Sequence, residues 1–143
     1  MNAKLSYDER KQLLAARLKP SRFRHSLGVA ETAAQLAARF GVDAEAARTA
    51  GLLHDCAREF PNEAMRAEAD KRQIPYGPIE RAMPLLLHAY LGAARVRELY
   101  GVDDDAISQA IYRHTVGGPQ MTRLDKIIWY ADMIEPSRDY PEV

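Results

Sequence analysis

Four histidines and two aspartates carry most of the chemistry this sequence can offer: His25, His54, His88 and His114, with Asp55 directly after His54 and Asp132 further on. Each histidine falls at three- and four-residue steps from small or apolar neighbours, the spacing of the inner face of a helix. His25 aligns with Gly28, Val29, Thr32 and Leu36, and Gly28 leaves room there for another element or a ligand. His54 shares a face with Ala47, Ala50 and Gly51, His88 lies between Leu85 and Leu91, and His114 follows Ile107, Ala110 and Ile111. Asp132 borders the Leu124, Ile127, Ile128, Ala131 stripe. A single histidine in such a place is usually a hydrogen-bonded core residue. Two carboxylates buried beside four imidazoles are different, because their desolvation is costly unless a cation offsets it. Neutral imidazole and carboxylate both ligate metals, so the set points to a metal site. So nitrogen-rich a donor set suits iron, manganese, cobalt, nickel or zinc better than magnesium or calcium.

The elements that position these residues read as helices throughout. Alternating strand patterns are absent, and alanine and leucine recur at helical steps. Ser6 with Glu9 is a capping-box pattern that opens a helix to about Leu18, before Pro20. A second helix is predicted over about 21–40, stopped by Gly41, and a third from Asp43 to about Cys56. Pro61 and Asn62 open a fourth that fades near Gln73, and 74–78 is a turn. The fifth spans about 84–100. The sixth starts at Asp103 or Asp104 and reaches about His114. After a loop at 116–120, Thr122 with Asp125 opens the last helix, which ends near Ile134 ahead of Pro136. The expectation is an all-α protein of about six to seven helices, with residues 1–143 forming one domain.

Composition narrows the function classes. With 20 basic and 20 acidic residues, bulk charge gives no reason to expect DNA or RNA as a partner. The single cysteine, Cys56, excludes an intramolecular disulfide and fits a reducing compartment. The start of the chain is charged and lacks an apolar leader, and the longest uncharged run, 82–94, is too short to span a bilayer. A cytoplasmic protein without membrane attachment is therefore expected. There is no G-x-x-x-x-G-K-[ST] motif, which excludes a P-loop ATPase.

Five segments together carry a family resemblance: Arg24-His25-Ser26-Leu27-Gly28-Val29, Gly51-Leu52-Leu53-His54-Asp55-Cys56-Ala57-Arg58-Glu59, His88, Arg113-His114-Thr115-Val116-Gly117, and the run from Lys126 to Arg138. They resemble the HD-domain metal-dependent phosphohydrolases, and within them the YqeK branch of symmetrical diadenosine tetraphosphatases. The resemblance covers nearly the whole chain from about Tyr7. It implies a helical HD-domain bundle with a dinuclear centre, iron being the usual metal. His25, His54, Asp55 and Asp132 would hold one ion and His88 and His114 the second, with Asp55 bridging. It also implies a reaction, cleavage of diadenosine tetraphosphate into two ADP, with related dinucleoside polyphosphates as further substrates. Members of the branch continue past Glu135-Pro136-Ser137-Arg138 into further helix and usually carry glycine where Glu142 stands. The family's C-terminal helical tail is thus expected to be missing, along with any substrate contact it supplies.

Such chemistry needs metal ions to neutralise phosphate oxygens and to acidify a bridging water, whose hydroxide attacks an inner phosphorus in line. It also needs charge recognition. Arg58, three residues past Asp55, is the first candidate for a catalytic and substrate contact. Lys126, Arg138 and the Thr115 hydroxyl are further candidate substrate contacts, and Arg24 and the Gly117-Gly118 amides rank below them. Tyr76, Tyr90 and Trp129 are candidates to stack a base, although aromatic residues at helical spacing usually belong to the core. Cys56 is expected to be a buried thiol rather than a nucleophile. Two other readings stay open: an HD-fold di-iron oxygenase, and a non-catalytic nucleotide-binding regulator with a metal site. The oligomeric state is open as well, a homodimer being compatible with the sequence.

Overall fold

Local signals in the sequence account for most helix starts in the computed structural model, which describes residues 5–136. The Glu9 amide donates to Ser6 Oγ at 3.1 Å and the Ser6 amide to Glu9 Oε1 at 2.8 Å, which opens α1 (Tyr7–Ala15). Pro20, whose ring presets a helical φ, begins α2 (Pro20–Phe40), and Gly41 ends it in the left-handed region at φ 73°. Asp43 accepts from the Glu45 and Ala46 amides at the start of α3 (Ala44–Leu53). After two short 3-10 turns come α4 (Met65–Lys71), α5 (Pro78–Ala82) and α6 (Leu87–Glu98). Asp104 caps α7 (Asp105–Tyr112), and a capping box of Thr122 with Asp125 opens α8 (Arg123–Ile134). The described residues contain no strand, and none of their helices is long and apolar enough to cross a membrane. The fold is all-α, as expected.

Differences from the sequence expectation fall at helix ends. There are eight α-helices among the described residues rather than six or seven. The added one is α5, which starts where the expected turn finishes, with Pro78 in its first position and Glu80 Oε1 accepting from the Gly77 amide at 2.9 Å. Residues 84–86 form a 3-10 turn because Met83, preceding a proline, is held out of the helical region at φ −126° and ψ 77°. Helix α1 stops at Ala15, short of Leu18. The third helix stops at Leu53 instead of Cys56, and the chain tightens into a 3-10 turn over Cys56–Glu59. Asp55 therefore leaves the register of α3. His114 lies beyond the end of α7 for the same kind of reason.

The core is built on a close crossing of α2 and α3. Val29, Ala30, Ala33 and Ala37 of α2 and Ala47, Ala50, Leu52 and Leu53 of α3 are all fully buried. Small side chains allow the backbones to approach, and a Cβ on Gly51 would lie 2.9 Å from both Ala30 Cα and the Val29 carbonyl oxygen. Helix α8 closes one side with Leu124, Ile127, Ile128 and Ala131. Helix α6 packs against α7, and a second apolar cluster of Met65, Leu87, Tyr90 and Leu91 joins it to α4. Each fully buried leucine contributes about 1.5–3 kcal/mol relative to exposure. A polar tie adds direction. The fully buried Asp125 takes hydrogen bonds through Oδ2 from Arg113 Nη1 (3.1 Å), Gln109 Nε2 (3.1 Å) and the Thr122 amide (2.9 Å). It fixes the end of α7, and so His114, to the start of α8.

Candidate metal centre

The centre collects side chains from five places: His25 in α2, His54 and Asp55 at the end of α3, His88 in the first turn of α6, His114 after α7, and Asp132 in α8. The imidazoles form an edge-on row, His25–His54–His114–His88, with ring centroids 5.4, 5.0 and 4.9 Å apart. All four are buried, as is Asp55.

Three rings are aimed by one local device. His54 Nδ1–H donates to the Gly51 carbonyl at 2.7 Å, His88 Nδ1–H to Leu85 at 2.6 Å, and His114 Nδ1–H to Ile111 at 2.8 Å. Each acceptor lies three residues earlier. A carbonyl can only accept, so Nδ1 carries a proton and Nε2 is the nitrogen turned inward. His25 is held differently: Nδ1 lies 2.8 Å from Glu135 Oε1 and Nε2 lies 2.8 Å from Asp132 Oδ1. Glu135 is buried and occupies the space that Gly28 leaves, since a Cβ at Gly28 would fall 2.0 Å from Glu135 Oε2. The room expected beside Gly28 is taken by a carboxylate that orients His25.

Asp55 divides the row. Its Oδ2 lies 3.4 Å from His54 Nε2, whereas Oδ1 lies 3.3 Å from His88 Nε2 and 3.5 Å from His114 Nε2. Asp132 Oδ1 reaches His54 Nε2 at 3.4 Å. His25, His54 and Asp55 converge closely enough to share an ion, as do Asp55, His88 and His114; a third group, His54, His114 and Asp132, crosses between them.

Electrostatics fit a cation here. Burial works against charge on His54, but Asp55 and Asp132 outweigh it and hold its pKa up at about 9. Burial opposes ionisation of Asp55 too, yet the surrounding imidazoles keep it well below the ordinary carboxylate range. Asp132, despite its burial, is likewise lowered by His25 and His54. His114 is pushed down by burial, with Asp55 acting the other way and His54 and His88 adding to the fall. Two further observations concern orphaned atoms. His54 Nε2 is fully buried without a hydrogen-bond partner. The Nε2 atoms of His88 and His114 are 3.0 Å apart, a distance at which two lone pairs repel unless a proton or metal ion lies with them. The donor set therefore fits a metal on this chain's own geometry.

A cleft of about 430 Å³ opens onto the cluster, walled by Arg22, Arg58, Thr115, Trp129 and Met133. Of the expected substrate contacts, Arg58 and Thr115 stand at it, and Thr115 Oγ1 also lies 3.3 Å from His88 Nε2. Lys126 does not line the cleft. It borders a neighbouring hollow beyond Trp129 and a larger one of about 740 Å³, neither of which contains a member of the cluster. Arg138 lies outside the described residues. Arg24 is exposed; the cation beside Asp55 is Arg22, with Nη1 3.4 Å from Oδ2. Arg22 precedes His25 by three residues, one helical turn, and that spacing was the available signal. Glu135 had a weaker one, following Asp132 by three residues. Cys56 is fully buried and burial pushes its thiol pKa up, in keeping with a structural role. Tyr90 stacks on Tyr112 with centroids 4.4 Å apart, and Tyr76 donates to Asp70 away from the cleft; of the three aromatic candidates, only Trp129 faces it.

The chain is similar to known proteins over most of its length. The chain is 42% identical over 122 residues to the symmetrical bis(5'-nucleosyl)-tetraphosphatase of Bacillus subtilis, a match covering 85% of the chain and 65% of that relative. The protein of the same name from Staphylococcus aureus is 33% identical, with 97% of the chain and 71% of the relative covered. The chain thus spans about two thirds of the length of these curated relatives. A solved structure, described as a predicted HD superfamily hydrolase involved in NAD metabolism from Clostridium acetobutylicum, is 38% identical and superposes with a TM-score of 0.91 over 98% of the chain and 74% of its own. The HD domain model matches residues 22–137, an interval that takes in all four histidines, Asp55 and Asp132. The chain belongs to the HD domain family.

Proposed function

We propose that the chain, acting as one catalytic domain, is a metal-dependent hydrolase that splits diadenosine tetraphosphate symmetrically into two ADP. The carrying observation is the cluster itself: inward Nε2 atoms of four histidines gathered on two carboxylates, beside a cleft lined by two arginines. Relatives named for that reaction, at 33% and 42% identity, support the choice of substrate. The ligand set is His25, His54, Asp55 and Asp132 for one ion and His88, His114 and Asp55 for a second. The opposite facing of the two Asp55 oxygens supports this division. Iron is the proposed metal, and the nitrogen-rich donors suit it.

Bound metal would supply charge to the phosphate oxygens and a water acidic enough to attack at neutral pH. The chain's own residues do the rest. The Nδ1 hydrogen bonds lock three rings in the tautomer that offers Nε2, and Glu135 does the same for His25. Arg22 and Arg58 hold phosphate oxygens at the cleft wall and stabilise charge that grows on the leaving ADP. The Thr115 hydroxyl can donate to a phosphate oxygen, and Trp129 and Met133 add apolar surface to the cleft wall. Lys126 would touch substrate only through an arm that passes Trp129.

Three outcomes are expected. Anaerobic assay of the ferrous protein should yield ADP alone from diadenosine tetraphosphate, and Asp55→Ala should abolish it; ATP plus AMP, or a requirement for oxygen, would sink the reading. Gly28→Ala should displace Glu135 from His25 and weaken metal binding by about 10–100-fold, read on the folded fraction of the protein. Unaltered metal affinity would show that Glu135 does not matter. The third concerns pH. In the metal-free protein the raised pKa of His54 adds stability that is complete below about 6.5 and is lost as pH rises through about 9. The same proton competes with metal, so metal affinity should climb with pH between about 6.5 and 9, and uptake at pH 7 should release a proton. Calorimetry in buffers of different ionisation enthalpy measures this release, and a pH-independent affinity would contradict it.

A further inference from the structure

The cleft at the cluster is of a size for one nucleotide half of the proposed substrate. Pockets for a single drug-sized ligand run to about 300–1,000 Å³, and this cleft, at about 430 Å³, must also receive the metals. Two nucleosides joined by four phosphates need space on both sides of the central bond. A second hollow of about 390 Å³ adjoins the cleft and shares Arg22 and Arg58 with it. Its remaining wall comes from Lys19, Glu59, Phe60 and the segment at Pro61 and Asn62.

The lining of this hollow has three cations, Lys19, Arg22 and Arg58, to one acid, Glu59, although Arg22 also faces Asp55 at 3.4 Å. Glu59 is paired with Arg17 at 3.1 Å and Arg95 at 2.6 Å, so its carboxylate is already neutralised. Lys19 is exposed at the start of α2 and makes no cap there, and Asn62 is exposed on the facing 3-10 turn. Lys19, Arg22 and Arg58 thus make a cationic track from the hollow to the metal cluster. The track suits a chain of phosphates that begins at the metals and carries a nucleoside outward.

We infer that this hollow seats one nucleotide arm of the substrate, with Lys19 and Asn62 contacting the half beyond the cleaved bond and Arg22 and Arg58 holding its inner phosphates. This rests on the proposed function. It also gives a reason for symmetrical cleavage, since an arm of fixed length in the hollow places the middle of the phosphate chain over the metals.

The test uses the metal-loaded protein and the double variant Lys19→Ala, Asn62→Ala, whose positions lie outside the cleft and the core. Calorimetric titration with ADP should show two binding events per chain in the parent and one in the variant, with metal content equal. The KM for diadenosine tetraphosphate should rise about tenfold, the size expected for losing a charge-assisted contact. A parent that binds a single ADP, or a variant that binds both as the parent does with KM unchanged, overturns the subsite. Failure of the parent to make ADP would instead defeat the proposed reaction, and the ADP titration would still decide the hollow.

Discussion

A carboxylate surrounded by imidazole nitrogens inside a helical core is the constraint on which the rest of this structure depends. Removing one charged group from water costs several kcal/mol even after relaxation, and Asp55 and Asp132 are both held ionised in largely buried positions. In the metal-free protein a proton on His54 offsets part of that charge, which is why its pKa stands near 9. The His88 and His114 nitrogens, 3.0 Å apart, call for a further cation. Every ligand is then required by the others, since removing one leaves uncompensated charge or unpaired nitrogen among the rest.

The fold serves this cluster mainly through helix ends. His54, Asp55 and His114 stand where α3 and α7 give out, and His88 stands where α6 begins. At a C-terminal end the last carbonyls are left without helical partners, and the i−3 carbonyl can take the Nδ1 proton of His54 and of His114; for His88 the accepting carbonyl, Leu85, belongs to the 3-10 turn before α6. The same break that ends α3 at Leu53 frees Asp55 to turn its two oxygens to different rings. The alanine-rich crossing of α2 on α3 brings His25 within reach of His54, and Asp125 anchors the segment carrying His114. Packing and chemistry are thus linked through the same few residues.

Much of this was legible in the sequence because helical phasing fixes direction. The inward faces of His25, His54, His88 and His114 follow from three- and four-residue spacing, and the caps at Ser6, Asp43 and Thr122 follow from residue type. What escaped were properties set by tertiary contact. The register break after Leu53 is not announced by a glycine or proline at the break or in the turn that follows it, 54–60. Glu135 fills the gap at Gly28 from across the bundle, 107 residues away in sequence by the difference of their numbers. Arg22 rather than Arg24 meets Asp55, because one turn back along α2 points inward and the adjacent position points to solvent. Lys126 lies on the far side of Trp129, in line with its six-residue offset from Asp132, which does not return to the same face.

The central proposal is that the six side chains would hold two metal ions close enough to share Asp55. Elemental analysis of protein loaded anaerobically with iron and freed of excess metal tests it most directly. Two ions per chain are expected, with magnetic coupling between them in the iron spectrum. A single ion per chain, or two that behave independently, would contradict the account.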